Sequence, residues 1–169
     1  MRVFLTGFMG SGKTTVGRLL SDRLELPFID LDREIELRAG KSVKEIFEAG
    51  GEALFRRLEQ EALAAAVGRP EAVIATGGGT VTVERNVRLL DEGGVSVWLD
   101  PPFSVISERI GGLGKEDRPL FQTETQALEL YRRRLPAYRR AAIRMAVDAG
   151  EAPEEVAARI ALLLEGAGG

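Results

Sequence analysis

The chain has 169 residues, 44% hydrophobic and 29% charged, a balance that suits one helix-rich globular domain with a single core better than a disordered chain or an all-β sandwich. Its net charge of -3 argues against general nucleic-acid binding. With no Cys and no His, the chain can have no disulfides, no thiolate or imidazole catalysis and no Cys- or His-ligated metal.

The remaining chemistry must run on carboxylates, Arg, Lys, hydroxyls, backbone amides and a hard cation such as Mg²⁺. That inventory leans toward phosphate chemistry. No apolar run approaches the roughly 18 residues of a membrane span, and the N-terminal segment runs straight into a Gly-rich stretch where a signal peptide would have its apolar region. The expectation is a cytoplasmic protein with no membrane partner.

In chain order, short apolar runs alternate with amphipathic helical stretches. Arg2 to Thr6 reads as a buried strand, and Gly12 to Leu24 as a helix with Val16, Leu19, Leu20 and Leu24 on one face. Pro27 to Asp30 is a second strand, followed by a helix that stops near Gly40. Ser42 and Glu45 spell a capping box, opening a short helix that ends at Gly50-Gly51, and Glu52 to Val67 is a longer Ala- and Leu-rich helix. Ala72 to Ala75 is a third strand, broken by Gly77-Gly78-Gly79.

Val83 to Glu92 reads as a helix and Gly94 to Leu99 as a fourth strand of the fully buried, β-branched type. Pro101-Pro102 begins another helix, Gly111 to Thr123 reads as a loop, and a further helix runs through Tyr131 up to Pro136. A fifth strand near Ile143 to Val147 and a last helix from Pro153 to Leu164 complete the chain. This alternation predicts an α/β fold, a parallel sheet covered on both faces with its ligand sites at the C-terminal ends of the strands. No repeat or linker divides the chain, so residues 1–169 read as one domain.

Gly7-Phe8-Met9-Gly10-Ser11-Gly12-Lys13-Thr14 matches G-x-x-x-x-G-K-[ST] and lies between a strand and a helix, the context the motif requires. Its glycines let successive amides face inward as an anion nest, and the helix N-terminus adds partial positive charge. Lys13 would reach the β- and γ-phosphates of a nucleoside triphosphate, and the Thr14 hydroxyl would bind Mg²⁺. Asp30-Leu31-Asp32 follows the second strand, and spacing i, i+2 in an extended segment would send both carboxylates the same way. Phosphoryl transfer to an alcohol needs one carboxylate at the hydroxyl proton and another near the metal's water shell; the competing reading has one Asp capping the next helix.

Thr76-Gly77-Gly78-Gly79-Thr80 follows the third strand, which ends Val73-Ile74-Ala75 with no Walker B Asp, so metal handling falls to another acid, with Asp30 the candidate. Three consecutive glycines allow close backbone approach to a small polar ligand. A small anionic acceptor would need bidentate guanidinium clamps. Candidates are Arg56, with Glu59 three residues on to hold it, Arg118 in the charged loop, and the run Arg132-Arg133-Arg134, among which spacing does not choose.

These residues together resemble shikimate kinase over essentially the whole chain. The resemblance rests on GFMGSGKTTVG at 7–17, Asp30-Leu31-Asp32, Phe55-Arg56 with Glu59, TGGG at 76–79, Arg118-Pro119-Leu120, and Arg134 with Pro136 and Tyr138. It implies a P-loop, nucleoside monophosphate kinase-like fold with a five-stranded parallel sheet ordered 2-3-1-4-5, a substrate-binding region at about 31–60 and a lid at about 111–122. The activity implied is transfer of the γ-phosphoryl of ATP to the 3-hydroxyl of shikimate in aromatic amino-acid biosynthesis, with Mg²⁺ required and the chain acting as a monomer.

Residue by residue, the resemblance gives Asp32 the acceptor hydroxyls and the role of base or orienting group, and Asp30 the Mg²⁺ water shell opposite Thr14. Arg56 and Arg134 would grip the shikimate carboxylate, and Gly77, Gly78 and Gly79 would line its ring. Gly10, Ser11, Gly12, Lys13, Thr14 and Thr15 would hold the nucleotide, and Arg118 would arrive with the lid to neutralise the transferring phosphoryl. At the exit of the fifth strand, Ala149-Gly150-Glu151-Ala152-Pro153 departs from the family by offering only an acid, which leaves the base to backbone groups and Arg109. A gluconate kinase or similar small-molecule kinase, and a non-catalytic nucleotide-binding regulator, are the rival readings.

Overall fold

A computed structural model describes residues 1–112 and 120–166. Five strands, β1 (Arg2–Thr6), β2 (Phe28–Asp30), β3 (Ala72–Ala75), β4 (Val95–Asp100) and β5 (Ile143–Ala146), form one sheet in the order β2-β3-β1-β4-β5. Every pairing is parallel. Helices α1 (Lys13–Leu24), α2 (Leu31–Ala39), α3 (Val43–Val67), α4 (Glu84–Gly93), α5 (Phe103–Gly111), α6 (Glu124–Tyr138) and α7 (Pro153–Gly166) carry the chain between and around them.

The strand period divides the core. Val3 and Leu5 of β1 join Val97, Leu99 and Val73 on one face, packed with Val16 and Leu20 of α1 and Ile160 of α7. Phe4, Ile74 and Trp98 point to the other face, against Leu63 of α3, Leu90 of α4 and Tyr138 of α6. Because β1 connects toward β2 while its neighbour β3 connects toward β4, a crevice opens above the C-terminal ends of β1 and β3. The phosphate loop and the three glycines leave from those two ends.

Four local details bear on the sequence reading; the first, third and fourth differ from it and the second agrees. First, Asp30 ends β2 and Leu31 already begins α2, so Asp32 lies in a helical first turn instead of an extended segment. The Asp30 side chain accepts from the Arg33 amide at 3.3 Å, and this N-cap is what ends the strand there. Second, the helical geometry breaks at Gly51 (φ 66°, ψ −165°), as the Gly50-Gly51 pair predicts, so α3 is two helices joined across a kink, the second running from Glu52 to Val67. Third, α6 passes through Pro136 to Tyr138, since Arg139 still donates to the Leu135 carbonyl at 3.0 Å and the buried Tyr138 anchors the last turn. Fourth, a 3₁₀ turn at Thr80–Thr82 follows the glycines, a short element with no periodicity to betray it. Of the expected loop from Gly111 to Thr123, residues 113–119 lie outside the described residues.

Candidate active site

The phosphate loop turns from β1 into α1 with Gly10 (φ 79°) and Gly12 (φ 97°) in the left-handed region, where a side chain would be strained. Gly12 is also the residue that starts α1, leaving the helix N-terminus open toward the crevice. Lys13 Nζ donates to the carbonyls of Gly7 (2.7 Å) and Phe8 (2.9 Å). Burial pulls its pKa down to about 8; Asp32 and Asp30 work against that shift, and Arg134 adds to it. Ser11 spends its amide on the Phe8 carbonyl (3.1 Å), so the loop presents the amides that follow it.

Thr14 Oγ1 donates to Asp30 Oδ2 at 3.1 Å. Asp30 thus caps α2 with one oxygen, the competing reading weighed for this pair, and accepts from the phosphate-loop threonine with the other. The hydroxyl and the carboxylate are hard oxygen donors of the kind Mg²⁺ takes. Among the described residues no cluster of three or more acids forms a closed metal cage. At the place where a Walker B acid would stand, Thr76 instead donates its hydroxyl to the Leu5 carbonyl at 2.9 Å.

Asp32 lines two adjoining cavities, one of about 520 Å³ over the phosphate loop and one of about 430 Å³ on the acceptor side. Its carboxylate is exposed to those cavities at the start of α2. Burial, and then the nearby carboxylates Asp30 and Glu59, push its pKa up to about 6 against the opposing pull of Lys13.

The acceptor cavity is lined by Gly77, Gly78, Gly79, Arg56, Glu59 and Arg134 among others. Arg56 projects from α3 just beyond its break and donates from Nη1 to Glu59 Oε1 at 2.9 Å, the partnership that their i, i+3 spacing predicts. A Cβ on Gly79 would meet the Arg56 guanidinium, so a side chain there would push the end of Arg56 aside. Arg134 is buried, its guanidinium 5.7 Å from the centroid of the Phe8 ring and close against Gly78. The Tyr138 hydroxyl donates to the Gly78 carbonyl, and burial pushes its pKa up to about 12, which keeps it a neutral donor.

The structure thus brings together Lys13, Thr14, Asp30, Asp32, Arg56, the three glycines and Arg134 around two connected cavities. Of the run at 132–134, Arg134 alone is buried toward the site; Arg132 and Arg133 are exposed. Arg109 Nη1 donates to the Gly10 carbonyl at 2.8 Å and lines a third cavity of about 320 Å³ with Gly12, Thr15, Val147, Glu151 and Pro153. The Asp148 amide and Arg159 hold the Glu151 carboxyl below its ordinary range, so the acid at the exit of β5 stays charged at the edge of this cavity. Arg118 lies outside the described residues.

Sequence reasoning did not single out Val43, Phe47, Leu130 and Phe121, apolar members of the acceptor cavity's wall. The helical spacing of Val43, Phe47 and Leu130 is that of ordinary core, Phe121 falls in the expected loop, and no local signal separates the two uses. Ser42 and Glu36 also reach this cavity, although the sequence shows Ser42 only as a helix cap.

Comparisons with known proteins agree with this geometry. The model of the family described as "Shikimate kinase" matches residues 9–165. The shikimate kinase of Aquifex aeolicus is 41% identical over 167 residues, covering 98% of this chain and 97% of that protein. The shikimate kinase of Moorella thermoacetica is 46% identical over 152 residues, covering 89% and 87%. Among solved structures, shikimate kinase from Acinetobacter baumannii in complex with shikimate superposes with a TM-score of 0.90 at 34% identity, covering 98% of this chain and 93% of that one. A sugar kinase from Janibacter, 20% identical with a TM-score of 0.62, shares the fold alone. With motif, architecture and relatives in agreement, this chain belongs to the shikimate kinase family, the ATP-dependent phosphotransferases that act on the 3-hydroxyl of shikimate.

Proposed function

We propose a division of labour for the transfer from ATP to shikimate in which Asp32 stands at the junction of a phosphate side and an acceptor side. The observation that carries this reading is that Asp32 lines both cavities, with Lys13 and the helix N-terminus on one flank and Arg56 and Arg134 on the other. The amides of the loop from Gly10 to Thr15 and the Lys13 ammonium hold the triphosphate and counter the charge that builds during transfer. The guanidiniums of Arg56 and Arg134 grip the acceptor's carboxylate, while Gly77, Gly78 and Gly79 let its ring lie against backbone. Held this way, the 3-hydroxyl comes to Asp32, which orients it and accepts its proton as the bond to phosphorus forms.

Mg²⁺ belongs to this reading: the Thr14 hydroxyl and, through water, Asp30 would hold it, and it would supply neutralisation of phosphate charge. Arg109 borders the base side of the nucleotide, and Arg118 is assigned to the transferring phosphoryl. The region at about 31–60 serves the acceptor, and the segment at about 111–122 is the lid that excludes water, the competing acceptor. The proposed functional unit is a monomer with shikimate and ATP as its ligands. Nucleic acid and membrane have no part in it, and the cytoplasmic ATP pool sets its location.

The test is ADP release with Mg-ATP against shikimate, gluconate and a nucleoside monophosphate. Release that depends on shikimate alone supports the reading. Turnover with another acceptor would overturn the clamp assignments, and ATP binding with no turnover on any acceptor would favour a regulator.

The two shifted groups also set a pH dependence. Asp32 must be ionised to accept a proton, which requires a pH above about 6, and Lys13 must stay charged, which requires a pH below about 8. The expected profile of kcat/KM for shikimate is therefore a bell with limbs near those values, since this ratio reports groups in the free enzyme. In Asp32→Asn the residual activity should lose the acidic limb; a limb that survived would belong to some other group.

A further inference from the structure

Glu59 is wholly buried, and its two carboxylate oxygens have different partners. Arg56 Nη1 donates to Oε1 at 2.9 Å, and the Thr80 hydroxyl donates to Oε2, also at 2.9 Å. Thr80 is itself wholly buried, in the 3₁₀ turn that follows the three glycines. Two further bonds fix that turn. The Thr80 amide donates to the Gly77 carbonyl at 3.2 Å, and the buried Asn86 of α4 donates from Nδ2 to the Thr80 carbonyl at 3.0 Å. Gly79, the preceding residue, lies directly against the Arg56 guanidinium.

A guanidinium and a carboxylate left to each other favour two parallel hydrogen bonds, fork to fork. Such a pair would spend on Glu59 the donors that Arg56 needs for an incoming carboxylate. Here the hydroxyl of Thr80 occupies the second oxygen. Among the described residues, the other hydrogen bonds of the guanidinium go to Glu52 Oε1, at 3.3 and 3.4 Å, on a side chain that is 54% exposed. A contact that long and that open to water is displaced at small cost.

We propose that Thr80 is a positioning residue for acceptor recognition: its hydroxyl holds one oxygen of Glu59 away from Arg56, limits that ion pair to one bond, and leaves the remaining guanidinium donors available in the acceptor cavity. The inference rests on the reading of Arg56 as a carboxylate clamp. Thr80 suits the task because its β-branched side chain has a restricted χ1 and so presents its hydroxyl in a fixed direction.

The experiment is Thr80→Val, which keeps the shape and removes the hydroxyl, measured beside Thr80→Ala, Thr80→Ser and Arg56→Gln. In Thr80→Val and Thr80→Ala, KM for shikimate should rise about tenfold, the scale of one hydrogen bond to a charged group, with kcat and KM for ATP unchanged. Thr80→Ser should restore most of the loss. A higher shikimate KM in Arg56→Gln with wild-type values in both hydroxyl-deleted variants would overturn this proposal while leaving the clamp reading standing. An unchanged shikimate KM in Arg56→Gln would overturn the clamp reading and this inference with it. Parallel losses of melting temperature, kcat and both KM values, unrescued by Ser, would show a structural role only and would also overturn it.

Discussion

Asp32→Asn is expected to lower kcat by about 10²- to 10⁴-fold, the usual contribution of a positioned general base, while leaving ATP binding nearly unchanged. Asn keeps the size of the side chain and can still hydrogen-bond the acceptor's hydroxyl, but it cannot take the proton. Equilibrium ATP binding and single-turnover transfer, measured side by side, separate the two effects. Normal turnover in this variant would remove Asp32 from the mechanism.

The same substitution carries a prediction about stability with the opposite sign. The folded Asp32 has a pKa of about 6, above its ordinary value of 3.8, so the fold favours its protonated form. Stability gained from that preference is fully present below about pH 4 and is lost as pH rises through about 6. At pH 8 the wild-type enzyme carries an ionised carboxylate in a site that resists it, and Asn does not. Asp32→Asn should therefore melt at a higher temperature than the wild type at pH 8, with the gap closing toward pH 4. A base near neutrality needs this environment for its chemistry, and the environment costs the fold stability.

The second large effect is expected from Arg134→Lys. Arg134 is 8% exposed, lies over Phe8, and closes the acceptor cavity opposite Arg56. A planar guanidinium can meet a carboxylate with two parallel bonds and also lie over an aromatic ring; an ammonium is a point charge that does neither as well. KM for shikimate should rise about 10- to 100-fold, since charge-assisted bidentate pairs are the strong ones and each factor of ten is about 1.4 kcal/mol. KM for ATP should move little. Steady-state kinetics with each substrate varied in turn decides the matter: equal losses for both would mean that Arg134 supports the fold or the phosphate loop through Phe8.

Much of the site was legible because its strongest signals are local. The phosphate loop is one contiguous stretch whose backbone must curl in a way that glycine permits, so spelling and position suffice to read it. The Ser42–Glu45 capping box likewise involves groups three residues apart and forms as read. The partnership of Arg56 with Glu59 is a single helical turn. Strand faces follow from a period of two, so Val3 and Leu5 part from Phe4 without any tertiary information.

What the sequence by itself determined is therefore the class of fold, the nucleotide loop and a short roster of acids and arginines. Which of them meet was decided by the tertiary structure. Asp30 and Asp32 converge on the crevice even though α2 begins between them, because the Asp30 cap turns the chain at that point. Arg134 was separated from its two neighbours by the face of α6 that packs over Phe8, and Thr80 met Glu59 only because β3 delivers its turn beside α3. Glu59 and Thr80 are 21 positions apart and Phe8 and Arg134 are 126 apart, and local propensity carries no information about such contacts. They exist because burying the sheet's two faces fixes the relative placement of the helices, and with it the few polar groups left pointing into the crevice.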